Sequence, residues 1–288
     1  MSTKLSIRFF GDKEVRAAWD EASNRWLFVA ADVVGALTNS TNPRIYWAVL
    51  KSRLKQQKNE LITICKQLKM PAADGKLYLT DCLSQADIVR LVEHIPSKNA
   101  VPFVRWLTYS EDSIDGRSKS KAYALWESGL LEQIEVGTTK GLQQIHAYLF
   151  DGLYDFAGQI RTKNIAKGGF QFAMAQFLND TLQNIERMPD NSLDEIIDKY
   201  VEMNIAHPFM EGNGRSTRIW LDLLLKSRLQ QCVDWSKIDK KTYLDAMARS
   251  VADSTDIKRL IASALTTDIT NRDVYMKGID YSYYYEES

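Results

Sequence analysis

HPFMEGNGRSTR, residues 207–218, is the stretch from which the rest of the chain can be read. Pro208 cannot continue a helix, so one is expected to end at Ala206. Gly212 and Gly214 permit a tight turn, and a new helix is expected from about Gly214. Free backbone N–H groups at such an N-terminus make an anion site. Arg215 and Arg218 stand three apart, on one helical face, with reach toward the same polyphosphate. Glu211 offers a hard oxygen ligand to a divalent ion such as Mg²⁺. His207 is the residue here suited to proton transfer near neutral pH. Anion cradle, cation pair, metal ligand and base are the parts of a phosphate-transfer site.

Outward from this loop the pattern is helical, over 142–156, 173–187, 192–205, 214–229, 241–250 and 256–265. Between the first two lies RTKNIAKGGFQF (161–172), whose Gly168-Gly169 pair reads as a β-hairpin. The polar, Gly/Ser-containing segment SEDSIDGRSKSK (110–121) sets a boundary between a domain at 1–110 and one at 111–288. In the first, Ile7, Phe9, Val15, Ala17 and Trp19 alternate with polar neighbours. Turns fall at Gly11-Asp12 and across 20–24, and a third strand follows at 25–30. Asn42-Pro43 then starts a helix over roughly 43–59. Arg44, Lys51, Lys55 and Lys58 form one stripe along it, opposite Ile45, Tyr46, Val49, Leu50 and Leu54. A turn at Pro71–Gly75 and a helix near 85–94 complete a small α+β unit.

The formal charge is zero, with 37 basic and 37 acidic side chains, but it is unevenly spread. Residues 1–110 hold 16 basic against 10 acidic groups, and the other 178 residues hold 21 against 27. The first unit is therefore suited to an anionic partner. Cys65, Cys82 and Cys232 show neither metal spacing nor a disulfide framework, which fits a reducing compartment. No signal-like segment and no run of about 18 apolar residues is present. The expectation is a cytoplasmic protein with no membrane partner. His94 and His146 belong to no constellation and are read as structural.

The string 207–218 resembles the signature of the Fic family, HPFx(D/E)GNGRxxR, at every specified position. The similarity runs from about Ser128 onward and includes LFDGLYDFAGQIR (149–161) and KGGF (167–170). It implies a mainly α-helical domain with a small β-hairpin flap, using ATP and Mg²⁺ to place AMP on a Tyr, Ser or Thr of a target protein. His207 would take the proton of the target hydroxyl and Glu211 would hold Mg²⁺. Asn213 and the backbone around Gly212 and Gly214 would bind the phosphates, with Arg215 and Arg218 on the β- and γ-phosphates. Phe209 would anchor the loop in the core. Lys167, Gly168, Gly169 and Phe170 would form a flap that pairs with the target backbone. A kinase branch of the family carries Lys where Gly214 stands, and a phosphocholine-transferring branch carries Ala where Gly212 stands. Both glycines favour AMP transfer.

The tail, Ser282 to Glu286, resembles the Fic inhibitory motif (S/T)xxxE(G/N), departing from it at Glu287. If helical, Ser282 and Glu286 share a face, and Glu286 can pair with Arg218; the other reading is a solvated acidic tail. Tyr283, Tyr284 and Tyr285 lie on this segment and are candidates for self-modification. Residues 5–107 resemble the BRO-N domain, thought to bind DNA, in IRFFGDKEVRAAWDE (7–21), NPRIYWAVLKSRL (42–54) and PAADGKLYLTD (71–81). The stripe Arg44, Lys51, Lys55 and Lys58 is then either a DNA contact or a solvated face. Fic relatives with this tail placement are thought to modify bacterial type II topoisomerase subunits, which makes such a subunit the expected target; a homo-oligomer stays open. Two alternatives remain: a DNA-binding regulator whose Fic portion only binds nucleotide, and a hydrolase that removes AMP at the same site.

Overall fold

The computed structural model describes residues 4–72, 76–109 and 113–286, in two compact units, Met1–Ser113 and Ile114–Ser288. In the first unit the strands are β1 (Leu5–Phe10), β2 (Lys13–Asp20), β3 (Arg25–Val29), β4 (Lys66–Pro71) and β5 (Leu77–Ser84). Its helices are α1 (Ala30–Thr38), α2 (Pro43–Gln56), α3 (Glu60–Ile64), α4 (Gln85–Val92) and α5 (Ala100–Tyr109). The second unit contains α6 (Ile114–Glu127), α7 (Thr139–Phe150), β6 (Ala166–Lys167), β7 (Phe170–Gln171), α8 (Leu178–Arg187) and α9 (Leu193–Ala206). It continues with α10 (Asn213–Leu229), β8 (Cys232–Val233), α11 (Lys240–Ser250), α12 (Thr255–Ala264), β9 (Leu265–Thr266) and α13 (Arg272–Glu286). Among the described residues, no helix is long and apolar enough to cross a membrane.

The five strands of the first unit form one antiparallel sheet in the order β1-β2-β3-β5-β4. Val15, Ala17, Leu27, Phe28 and Val29 close its core with Val33, Val34 and Leu37 of α1. The expected turn at 71–75 falls partly on residues 73–75, outside the described residues. Helix α2 begins as expected, with the Asn42 side chain accepting from the Ile45 amide. It ends sooner than the hydrophobic pattern implies, at Gln56, and Lys58 lies beyond it with φ 54°. The basic stripe is therefore broken. Lys58 leaves the helical register, and Lys51 is 2.7 Å from Asp81, which also accepts from Trp47 Nε1. Arg44, Lys51 and Lys55 stay in the helical register, Lys51 with its charge engaged by Asp81. Ile45 and Val49, placed on the apolar half, are exposed, because Trp47, Leu50 and Leu54 are the residues that face the core.

Residues 114–121, read as part of a polar boundary, are helical. Ser118, Ala122 and Leu125 form the buried side of α6, a pattern too sparse to outweigh its Ser, Gly and Lys content. Helix α7 stops at Phe150 instead of running to 156, and α8 starts at Leu178, after a short 3₁₀ turn. Helix α9 carries a full capping box between Ser192 and Glu195. One contiguous core joins α7, α9, α10, α12 and α13 through residues such as Ile145, Tyr200, Trp220, Ile261 and Ile279.

Gly141, in the first turn of α7, shows how tight this packing is. Its N–H donates to Thr138 Oγ1 at 2.9 Å, and a Cβ there would run into the main-chain carbonyl of Glu135. In an exposed helix Gly→Ala gains about 1 kcal/mol. Here Gly141→Ala should instead lose about 2 kcal/mol or more through overpacking against backbone. That corresponds to a fall in melting temperature of roughly 4 °C or more for a unit of this size. Thermal unfolding of the purified variant checks it; an unchanged or higher midpoint contradicts the packing described.

Candidate active site

The loop between α9 and α10 is built by a few residues that fix its backbone. Helix α9 ends with His207 in the left-handed conformation, φ 49°, its N–H donating to Met203 O at 3.1 Å. A non-glycine residue held there costs on the order of 1–3 kcal/mol, so its surroundings must hold it. Arg161 does much of this. Its guanidinium donates to His207 O (2.7 Å) and Ala206 O (3.0 Å). It also donates to Lys163 O (2.7 Å) and Ala173 O (2.5 Å), the two ends of the hairpin segment. Asn213 closes the turn: its side chain accepts from Phe209 N and donates to Phe209 O, both at 2.8 Å. Phe209 is fully buried. Gly212, φ 82°, has no room for a side chain, since a Cβ would enter the Phe150 ring.

Asn213 was expected to reach phosphate. Its amide is instead engaged on both sides by the loop, so its side chain shapes the cradle. The first bond of α10 runs from Ser216 N to Gly212 O, which leaves the amides of Asn213, Gly214 and Arg215 ahead of the helical ladder. A cavity of about 550 Å³ opens over them, lined among others by Lys167, Phe172, His207, Glu211, Gly214 and Arg218.

His207 Nδ1 is 3.1 Å from Asn204 O and therefore carries the proton, leaving Nε2 as the acceptor. Phe172 stacks on the ring at 3.8 Å. Burial lowers the His207 pKa to about 4, against the opposing pull of the Asn204 carbonyl. His146, read as belonging to no constellation, also supports the loop. It accepts from Gly158 N at Nδ1, lies 2.9 Å from Glu211 O through Nε2, and stacks on Phe209 at 3.8 Å. Burial takes its pKa to about 4 as well. Nothing in the sequence around His146 marks this role, because its partners lie 12 and 65 residues away.

The two arginines are held in different ways, though both charges act on the Glu286 carboxylate. Arg215 is buried against Asp115 of α6 and Glu211 (3.1 Å), between the rings of Phe150 and Tyr283. Its side chain is thus directed to α6, and it does not line the cavity. Arg218 does, and is 2 % exposed. It donates from Nε to Ser282 Oγ (2.7 Å), and from Nη2 to Ser282 O (2.7 Å) and Glu286 Oε1 (2.5 Å). Its guanidinium also lies over Tyr243 and Tyr285. The pair is charged: Glu286 holds the Arg218 pKa above the ordinary range despite burial, and Arg218 holds Glu286 below its own. Glu286 Oε1 sits where a Cβ on Gly214 would go, over the start of α10. Lys167 of the hairpin approaches Glu286 Oε2 at 3.8 Å.

The tail is helical, as the Ser282–Glu286 spacing requires, and α13 packs along α6. Lys119 meets the buried Asp280 at 2.6 Å, Tyr275 OH donates to Ala122 O, and Arg272 meets Glu127 at 2.7 Å. Of the candidates for self-modification, Tyr283 and Tyr285 are engaged in this docked helix, and Tyr284 is half-buried. Tyr283 OH donates to Ser118 Oγ, and Tyr285 OH is shared between Trp235 O and Ile238 O; both side chains are buried. Glu287, where the tail departs from the motif, lies outside the described residues. The hairpin is as expected, with Lys167 paired to Phe170 and φ of 56° and 82° at Gly168 and Gly169. Glu211 contributes a carboxylate to the cavity. No group of three or more His, Cys, Asp or Glu able to hold a metal occurs among the described residues.

The sequence model of the Fic/DOC family matches residues 137–225, and that of the BRO family N-terminal domain matches residues 14–113. The probable protein adenylyltransferase y4lH of Sinorhizobium fredii is 28% identical over 134 residues, covering 41% of this chain and 69% of the relative. Protein adenylyltransferase VbhT of Bartonella schoenbuchensis is 28% identical over 145 residues, which is 46% of this chain but 30% of VbhT. The solved structure of the BepC protein of Bartonella tribocorum with bound AMPPNP aligns with a TM-score of 0.47 at 18% identity. That alignment covers 56% of this chain and 88% of BepC. Residues 137–225 thus carry a Fic domain and residues 14–113 a BRO N-terminal domain.

The low pKa values have a measurable consequence. Both imidazoles should stay neutral at pH 6 in long-range ¹H–¹⁵N spectra and protonate only toward pH 4. An unfolded histidine titrates near ~6.5, above both folded values. Their contribution to stability is therefore complete above about pH 6.5 and is lost as pH falls toward 4. A His207 or His146 ring that titrates in the ordinary range contradicts the burial described.

Proposed function

We propose that this chain transfers AMP from ATP to a hydroxyl side chain of a target protein, and that α13, docked as described, holds the reaction back. The observation that carries the reading is Glu286 Oε1 over Gly214 and on Arg218: an anion already seated where a polyphosphate would bind. In the reaction, Nε2 of His207 takes the proton of the target hydroxyl. The hydroxyl oxygen bonds to the α-phosphorus as the bond to the bridging oxygen of the β-phosphate breaks, and pyrophosphate leaves. The amides at the start of α10 and Arg218 would neutralise the polyphosphate. A lone carboxylate suits Mg²⁺, which is commonly bound by one or two protein carboxylates together with substrate phosphates and water. Glu211 would hold it, and the ion would supply charge neutralisation at those phosphates. The hairpin 166–171 offers a short exposed strand on which the target backbone can pair.

With Glu286 in place the γ-phosphate loses its cation, and the α-phosphate is displaced from the line of attack. Misplacement of that kind costs about 10²-fold in rate. The pairing of Glu286 with Arg218 also supports this reading over an AMP-removing hydrolase, since a carboxylate tied to a buried arginine is poorly placed to activate water. Intact His207 supports it over a regulator that only binds nucleotide. The target we favour is a type II topoisomerase subunit, with the first unit as a DNA-directed module, on the resemblance alone.

Parent, Glu286→Gly, His207→Ala and the double variant are to be incubated with α-labelled ATP, Mg²⁺ and bacterial lysate. Glu286→Gly should raise labelling by about 10²-fold. His207→Ala in that background should lower it by about 10²–10⁴-fold while ATP still binds. Labelling by Glu286→Gly at or below the parent level removes the brake from the reading. Near-parent labelling without His207 removes the base.

A further inference from the structure

The first two turns of α10 carry two buried guanidinium groups, and they are satisfied to different degrees. Every nitrogen of Arg218 has a partner: Nε meets Ser282 Oγ, Nη1 meets Tyr243 OH at 3.3 Å, and Nη2 meets Ser282 O and Glu286. Arg215, 4 % exposed, is less well served. Its Nη1 donates to Asp115 Oδ1 and its Nη2 to Glu211 Oε1. Its Nε is buried with no hydrogen-bond partner among the described residues. A buried donor left unmet bears the whole loss of its hydration. Each carboxylate takes a single bond, so neither grips the guanidinium in the forked geometry that suits it best.

Both anions on Arg215 also belong to side chains that remain largely in water. Asp115 is 65 % exposed and Glu211 59 %, against 24 % for Glu286. An ion pair whose anion stays solvated is weakly held. Arg215 is the third residue of α10, among the amides that precede the helical ladder, and its charge acts on the Glu286 carboxylate. Glu211, which Nη2 already touches, lines the cavity, so the guanidinium stands one contact behind the cavity wall. Asp115 is the second residue of α6 and precedes the stretch that matches the Fic/DOC model, 137–225. Helix α6 has its own hold on α13, through Lys119 on Asp280 and Ser118 on Tyr283, and does not need the Asp115 pair for its docking.

On the reading that this site takes ATP, we propose that Asp115 is a second lock on the anion site, a positioning residue that detains Arg215 until a polyphosphate draws the guanidinium away. Arg215 then exchanges Asp115, which returns to water, for phosphate oxygens, and Nε gains the acceptor it lacks. The two locks differ in kind. Glu286 occupies the seat itself, whereas Asp115 leaves the seat open and takes a cation from it.

The test is isothermal titration calorimetry of the full chain carrying Glu286→Gly, so that the seat is vacant, with AMPPNP and with AMP in the presence of Mg²⁺. Asp115→Asn should tighten AMPPNP at least about 5-fold. AMP, which lacks the outer phosphates, should bind as before. Asp115→Glu keeps the carboxylate and should return the affinity toward that of the Asp115 chain. With Arg215→Gln present, Asp115→Asn should have no effect. Should Arg215→Gln fail to fold, the comparison of Asn with Glu at the exposed position 115 decides the matter. AMPPNP binding that is unchanged or weaker in Asp115→Asn, equal tightening of AMP, or tightening that survives Arg215→Gln overturns the lock. Absence of AMPPNP binding even without Glu286 removes the nucleotide reading and the lock with it. Tightened binding with no AMP transfer to lysate protein supports the lock and removes the transfer reading alone.

Discussion

A guanidinium removed from water is the constraint around which the second unit is arranged. Arg218 leaves the surface almost completely, and an unpaired charge in that position costs several kcal/mol. Tyr243, Tyr285 and Ser282 satisfy part of its demand, but none of them cancels its charge. An anion must, and among the described residues Glu286 does so. The surrounding elements then have consistent roles. Helix α10 aims its first amides at the same spot, Gly214 keeps that spot open, and α13 delivers the carboxylate on a spacing of one helical turn from Ser282.

Around this ion the loop is over-determined in a way that suits chemistry. His207 sits in a backbone conformation that its residue type disfavours. It is held by the Arg161 fork, the Asn204 carbonyl, the Phe172 ring and the bond to Met203. Because Arg161 also binds both ends of the hairpin segment, the orientation of the His207 ring and the position of the hairpin share one side chain. In the proposed reaction, a base that needs no reorganisation loses none of its effect to reordering.

The sequence disclosed the site through local chemistry and failed where partners are remote. Pro208, the two glycines and the 3.6-residue period around 214–229 place the loop and α10 without any tertiary information. The Ser282–Glu286 interval likewise makes one face of a helix. Arg215 illustrates the opposite case. Its spacing from Arg218 argues for a joint phosphate clamp, but Asp115, a hundred residues earlier, takes it elsewhere. His146 supports the loop through contacts that no neighbour announces. Lys58 was misplaced because a helix end set by the αL turn at that residue leaves little trace in a hydrophobic pattern. Helix α6 was missed since its buried side is made of Ser118, Ala122 and Leu125, small and few.

Helix α13 is more than a carrier for Glu286. Tyr275, Met276, Ile279, Tyr283 and Tyr285 belong to the core of the second unit, and the Asp280 carboxylate is sealed against Lys119. Lifting the whole helix would expose five large side chains, on the order of 10 kcal/mol, comparable with the entire stability of an ordinary domain. Unwinding its last turn alone would release Glu286 with Tyr283 and Tyr285, and leave Tyr275, Met276, Ile279 and the Asp280–Lys119 pair in place. The energy landscape therefore favours fraying over undocking: the segment that occupies the anion site is a hinged tip on a fixed strut. Any ligand that competes for Arg218 works against the tip and not against the fold.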